Sequence, residues 1–198
     1  MWRDRDDFFI GANLTIYFSR EQLRNRDFRG PDFFLVKDTP KRDRNSWVVW
    51  EESGKYPDLI IELLSNSIAR VDRTLKKELY QNRFRTPEYF WFSPESLEFA
   101  GFRLVGNRYQ EIVPTSGDRL WSEVLDLYLG INEGKLRYFA FDGTLVPTPE
   151  EAAEQERLQK EIAQQQVGQE RLQKEIAQQQ VEQLRARLRS LGIDDNLV

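Results

Sequence analysis

Neither cysteine nor histidine occurs anywhere in the 198 residues. Without cysteine there are no disulfides, no thiolate metal sites and no thiol nucleophile. Without histidine, Ser-His-Asp hydrolysis, imidazole zinc ligation and imidazole general bases are all excluded. Hydrolytic chemistry in such a chain must run on carboxylates, lysine and a bound hard cation. No run of about 18 apolar residues exists, which excludes a transmembrane helix. Met1-Trp2-Arg3-Asp4-Arg5-Asp6-Asp7 lacks the apolar stretch of a secretory signal. The expectation is a soluble cytoplasmic protein. A broad excess of positive charge is missing too: the formal net charge is -4, which argues against a generic nucleic-acid binder but leaves room for a local basic face.

Aromatic residues are plentiful but unevenly placed. All 13 Phe, 5 Trp and 7 Tyr precede Pro147, and none follows it. The reading is therefore a core over residues 1–146 and a helical tail over 148–192. The tail opens with Thr148-Pro149-Glu150-Glu151, which has the form of a capping box with proline at the first helical position. It contains a duplication: ERLQKEIAQQQV spans Glu156–Val167 and recurs at Glu170–Val181, fourteen residues on. Two heptads of spacing put Leu158, Ile162, Leu172 and Ile176 on one seam. Gln165, Gln169 and Gln179 interrupt that seam, and Gly168 costs about 1 kcal/mol against alanine. Leu184, Leu188 and Leu191 continue the stripe in a shifted register. A weak coiled coil joining two copies and an isolated solvated helix are both open.

Within the core, residues 8–19, broken near Gly11-Ala12-Asn13, and the short apolar runs 32–36, 46–50 and 59–64 predict strands. Ile68, Val71, Leu75 and Leu79 recur at helical spacing and predict a helix over 68–83, ended by Thr86-Pro87. A strand over 88–92 follows. Hairpins are predicted over 97–113, turning at Gly106-Asn107, and over 136–145, turning at Asp142-Gly143. Strands flanking a single helix imply an α/β sheet with an antiparallel part.

Strand alternation puts Asp58, Ile60, Glu62 and Leu64 on one face. Glu62 interrupts an otherwise apolar run, and a carboxylate there is costly to bury without a cation or donor. Asp32 follows a proline at the start of the preceding strand. Two acids brought together from neighbouring strands form a hard-oxygen site suited to Mg²⁺. Such an ion activates water and offsets phosphate charge in phosphodiester hydrolysis, and a nearby lysine adds to that stabilisation. Asp72 and Lys76 lie four apart on one face of the predicted helix, from which Lys76 can lean toward the sheet. Asp58 reads as a turn or capping acid, with metal binding the alternative. Arg24, Arg26, Arg29, Lys37, Arg70, Arg73, Lys76, Lys77, Arg83 and Arg85 either form a phosphate-binding face or, with Asp27, Asp38 and Glu78 among them, an ordinary solvated surface.

Pro31-Asp32 at a strand start, a following strand with Glu62, and a lysine close by resemble the PD-(D/E)XK nuclease superfamily. The likeness is closer to one bacterial restriction-endonuclease-like branch, the Uma-two type, formerly a domain of unknown function. It rests on PDLIIELLS (Pro57–Ser65), DRTLKKELY (Asp72–Tyr80) and PEYFWFSP (Pro87–Pro94) in that order, and covers roughly residues 8–130. The tail ending LRSLGID (Leu188–Asp194) is similar to tails carried by members of that branch. The resemblance implies a restriction-endonuclease-like mixed β-sheet core with a flanking helix, plus a long C-terminal helix. It also implies Asp32 and Glu62 as metal ligands for Mg²⁺ or Mn²⁺, with a main-chain carbonyl at or near Leu63. The superfamily's lysine two residues after the second acid is replaced by Leu64. In the resembling branch that role moves to the next helix and so to Lys76, with Lys77 the runner-up. The branch also carries an N-terminal helical segment, often with a further glutamate, ahead of the WRDRDDFF stretch. This sequence begins at that stretch, and the expectation is an incomplete core with apolar surface left to cover.

Two functions follow. One is a Mg²⁺-dependent endonuclease acting on DNA through Asp32, Glu62 and Lys76, as a homodimer formed through the core, the tail, or both. The other is an inactive nuclease-fold interaction protein whose tail mediates oligomerisation. An unrelated β-rich scaffold would leave the three shared stretches as coincidence.

Overall fold

Alternation is strongest where both faces of a strand must be covered. In LIIEL every residue but the last is buried, with Leu59 and Ile61 on one face and Ile60 and Glu62 on the other. The computed structural model describes residues 5–19, 28–64, 69–115 and 117–190, and side chains outside 69–73 within them. Its packing divides the chain into two units, Met1–Val146 and Pro147–Val198.

The first unit is built on a sheet formed by β1 (Phe8–Ala12), β4 (Phe33–Lys37), β6 (Leu59–Leu63), β7 (Glu88–Phe92), β8 (Phe99–Val105) and β9 (Arg108–Glu111), adjacent in that order. Every pairing is antiparallel except β6–β7. A parallel pair needs a crossover, supplied by α1 (Ala69–Leu79) and a π-helical turn, Tyr80–Phe84, that ends on Arg85 in the left-handed conformation with φ 55°. Two small sheets complete the unit. One has the order β3 (Phe28–Arg29), β2 (Ile16–Tyr17), β5 (Trp47–Val48), and the other is a meander of β10 (Leu120–Ser122), β11 (Leu127–Asn132) and β12 (Lys135–Phe139).

Each face of the main sheet has its own apolar layer. Leu35, Leu59, Ile61 and Phe90 pack against Leu120, Leu125 and Leu129 of the meander region. On the opposite face Phe34, Val36, Ile60 and Tyr89 pack against Tyr80 and Phe84 of the π turn and against Ile16 and Trp47. Gly11 is required by that second layer. A Cβ there would lie 2.3 Å from the Phe34 ring across the strand pair.

Three expectations are corrected. The strand over 46–50 shrinks to Trp47–Val48, because the chain turns at Val49 to bring Trp47 Nε1 to the Lys55 carbonyl, 2.8 Å away. The helix does not bury Leu75, which is 59% exposed; its contact with the sheet is made instead by Lys76, Tyr80 and Phe84. Ile68 lies outside the described residues, as does the side chain of Val71. The last hairpin joins β11 to β12 at Glu133-Gly134, both with positive φ, whereas Asp142-Gly143 closes only an isolated bridge between Phe139 and Leu145.

The second unit is α2 (Pro149–Ser190), with no buried residue. Its start is the expected capping box: Thr148 N donates to Glu151 Oε2 at 2.9 Å and Glu151 N to Thr148 Oγ1 at 3.2 Å. The helix runs through Gly168 unbroken. Among the described residues no helix is long and apolar enough to cross a membrane.

Candidate active site

The antiparallel register of β4 and β6 pairs Phe33 with Ile61. One step further along the same register, Asp32 comes opposite Glu62. Asp32 Oδ2 accepts a hydrogen bond from Leu63 N at 2.8 Å, which ties the acid to the end of β6. Glu62 points to the face covered by α1 and is 0% exposed. Its two oxygens are held separately: Tyr80 Oη donates to Oε1 at 2.6 Å, and Lys76 Nζ to Oε2 at 3.0 Å. Lys76 and Tyr80 are one turn apart, so a single helical stripe delivers both donors.

Burial pushes the Glu62 carboxyl up to about 6, against the pull of the Tyr80 hydrogen bond and the Lys76 charge; the Asp32 carboxyl in hydrogen-bond contact raises it further. At neutral pH the group is still largely ionised. The Tyr80 hydroxyl is raised well above its ordinary range, first by burial and then by the Glu62 charge, so it acts as a donor. The result is two adjoining carboxylates at the ends of neighbouring strands, one half-buried and one fully buried, with an ammonium on the buried one.

Of the two candidate lysines only Lys76 meets Glu62; Lys77 lies over the Phe102 ring, 3.4 Å from its centroid. Leu64 is buried and donates its N–H to the Phe92 carbonyl at 2.8 Å. Asp58 sits at the far end of β6, about 13 Å from Glu62 at the usual rise of a strand. There it accepts from Lys37 N at 2.7 Å, and its own N–H donates to the Leu35 carbonyl at 2.8 Å. That geometry is a strand staple, and burial raises its carboxyl. Among the proposed basic residues, Lys37 Nζ reaches the Val124 carbonyl at 3.5 Å and Arg85 the Gly106 carbonyl at 2.7 Å. Arg24 and Arg26, and the side chains of Arg70, Asp72 and Arg73, lie outside the described residues.

Two residues at the heart of the core carry no role in the sequence reading. Tyr80 was visible there only as a tyrosine four positions after Lys76. Glu88, 1% exposed, accepts from Arg103, from the Ser122 hydroxyl and from Glu123 N at 2.9 Å. It shares a face with Leu59, its register partner, away from Glu62. It is a structural acceptor that clamps β8 and β10 to β7.

No curated protein matches this chain. A solved structure described as a putative nuclease of DUF820 from Anabaena variabilis is similar with a TM-score of 0.38 and 14% identity, over 77% of this chain and 66% of its own length. Residues 2–132, more than half of the chain, match the family described as "Uma2: Putative restriction endonuclease". With its acid-bearing strand ends and crossover helix falling inside that span, the chain belongs to the Uma2 family.

Proposed function

We propose that the core hydrolyses phosphodiester bonds of DNA with a divalent metal held by Asp32 and Glu62. The observation that carries this reading is the meeting of two carboxylates beside the Lys76 ammonium. Among the described residues no group of three or more acids forms a metal cluster. A two-acid, all-oxygen set nevertheless fits Mg²⁺, which keeps several waters and is commonly held by one or two carboxylates. The main-chain carbonyl of Leu63 would add a third protein oxygen. When bound, Mg²⁺ or Mn²⁺ supplies a Lewis acid that activates water and offsets phosphate charge.

The chain's own residues have separable tasks. Asp32 and Glu62 present negative charge on one side of the site. Tyr80 fixes the Glu62 rotamer by holding Oε1, so the second oxygen stays aimed at the site. Lys76 offsets the buried charge and supplies a cation against a phosphate oxygen. Exposed Leu158, Ile162, Leu172 and Ile176 on α2 support self-association of the tail, and hence a homodimer. A second reading, an interaction protein without catalysis, draws support from the Lys76–Glu62 ion pair, which already neutralises the acid.

Plasmid nicking with Mg²⁺ or Mn²⁺ tests the proposal. Wild type should cut, and Glu62→Ala and Asp32→Asn should not. Equal cutting by all three would sink the site assignment, and an inert wild type would favour the interaction protein.

A further inference from the structure

The sheet face that carries Glu62 continues into an aromatic groove. Glu62 and Trp91 are register partners on the parallel strands β6 and β7, so their side chains rise from the same face on strands about 4.8 Å apart. Tyr89, two residues earlier on β7, is paired with Phe102 of β8, and their rings stack with centroids 6.1 Å apart and planes 20° apart. These three rings floor a groove of about 480 Å³, walled by Thr74, Lys77, Glu78 and Gln81 from one stripe of α1 and its π turn. The groove thus adjoins the carboxylate site through Trp91 on the sheet and through consecutive lysines on the helix. Lys76 turns to Glu62, and Lys77 to the groove over Phe102.

We propose that this groove holds an unstacked nucleobase, so that the enzyme works on single-stranded or locally opened nucleic acid rather than on closed duplex. The inference rests on the nuclease reading for the phosphate that accompanies the base. Half-buried Trp91 offers a ring face, and ring faces are what base stacking uses without regard to sequence. A base still stacked in a duplex has no free face to offer, whereas one in a single strand or a bulge does. The wall favours a nucleotide over a purely apolar ligand. Lys77 brings positive charge to the rim, partly desolvated so that its ammonium is held below its ordinary range, and Glu78 and Thr74 line the same wall with polar groups. A nucleotide unit matches both halves, with its phosphate toward Lys76 and the acids and its base over Trp91.

Anisotropy of fluorescein-labelled oligothymidylate, with the full chain in chelator, tests binding apart from cutting. The single strand should bind more tightly than a duplex of equal length. An abasic oligonucleotide of equal length should bind at least about fivefold more weakly, the low end of the loss expected for one stacked base. Trp91→Ala should weaken the single strand to the abasic level and leave the duplex unchanged. Thr74→Trp, at an exposed helix position, fills the groove without touching the core and should have the same effect. Tighter duplex binding, equal binding of abasic and normal strands, or full binding by a folded Thr74→Trp would each overturn the groove. Plasmid cutting that persists alongside any of those results would leave the nuclease reading standing. Base-dependent binding with no cutting under any metal would instead sink the nuclease and keep the groove.

Discussion

Glu62→Gln should flatten the acid side of the stability profile. In the folded chain the Glu62 carboxyl titrates at about 6 against an ordinary 4.5, chiefly through burial. A carboxyl raised on folding binds more protons in the native state, so stability falls as pH rises from about 4.5 to about 6 and levels off above. A separation of roughly 1.5 pH units corresponds to about 2 kcal/mol. Glutamine has no charge to bury, so its curve lacks this descent. It also loses one acceptor, since its amide nitrogen cannot accept from Tyr80 or Lys76, and that costs about 1–3 kcal/mol at every pH in the window. The level of the two curves is therefore uninformative, and the difference in their slopes is the signal. Urea unfolding at pH values from 4.5 to 8, followed by tryptophan fluorescence, measures both. Wild type should lose about 2 kcal/mol more than the variant across that range. Parallel curves would refute the burial argument. A wild type that gains stability with rising pH would show that Lys76 and Tyr80 outweigh desolvation, reversing the sign.

Tyr80→Phe removes the donor to Glu62 Oε1 and should cost about 1–3 kcal/mol at pH 8; it should also move the carboxyl titration above 6, which the same pH series reads. Glu88→Ala leaves Arg103, the Ser122 hydroxyl and two backbone amides without their buried acceptor, so about 3–5 kcal/mol should be lost in urea. Any plasmid cutting should survive that change under conditions where the variant stays folded, because Glu88 faces away from Glu62. A stop after Pro147 should convert a dimer to a monomer by mass in solution; an unchanged oligomeric state would exclude self-association through α2.

The acids were legible because each broke a local pattern. Glu62 stood as the one carboxylate in PDLIIELLS after its opening, and Asp32 followed a proline that starts a strand. The capping box was equally local and forms with both of its hydrogen bonds. What stayed hidden depended on residues far apart in the chain. Glu88 draws its donors from positions 34 to 36 residues downstream, which no local pattern announces. Leu75 fitted a helical period yet is exposed, because the helix's hold on the sheet comes from the polar pair Lys76–Glu62 and from aromatic residues in the π turn. Asp142-Gly143 looked like a hairpin turn by composition, but Glu133-Gly134 was the pair that matched strands of equal reach.

The duplicated block in α2 bears on how such a tail can change length. Fourteen residues make two complete heptads, so one more or one fewer block alters the helix by about 21 Å while returning the apolar seam to nearly the same side. Gain or loss of a unit is therefore a change of reach without a change of partner-facing residues. The same identity makes the block indifferent to alignment. If two copies associate, Leu158 can face its counterpart or Leu172, and Ile162 can face its counterpart or Ile176, with like side chains meeting either way. Only the non-repeated flanks, Ala152-Ala153 before and Leu184 and Leu188 after, tell one alignment from the other. Those flanks, rather than the repeat, would decide whether a pair of tails ends flush or offset.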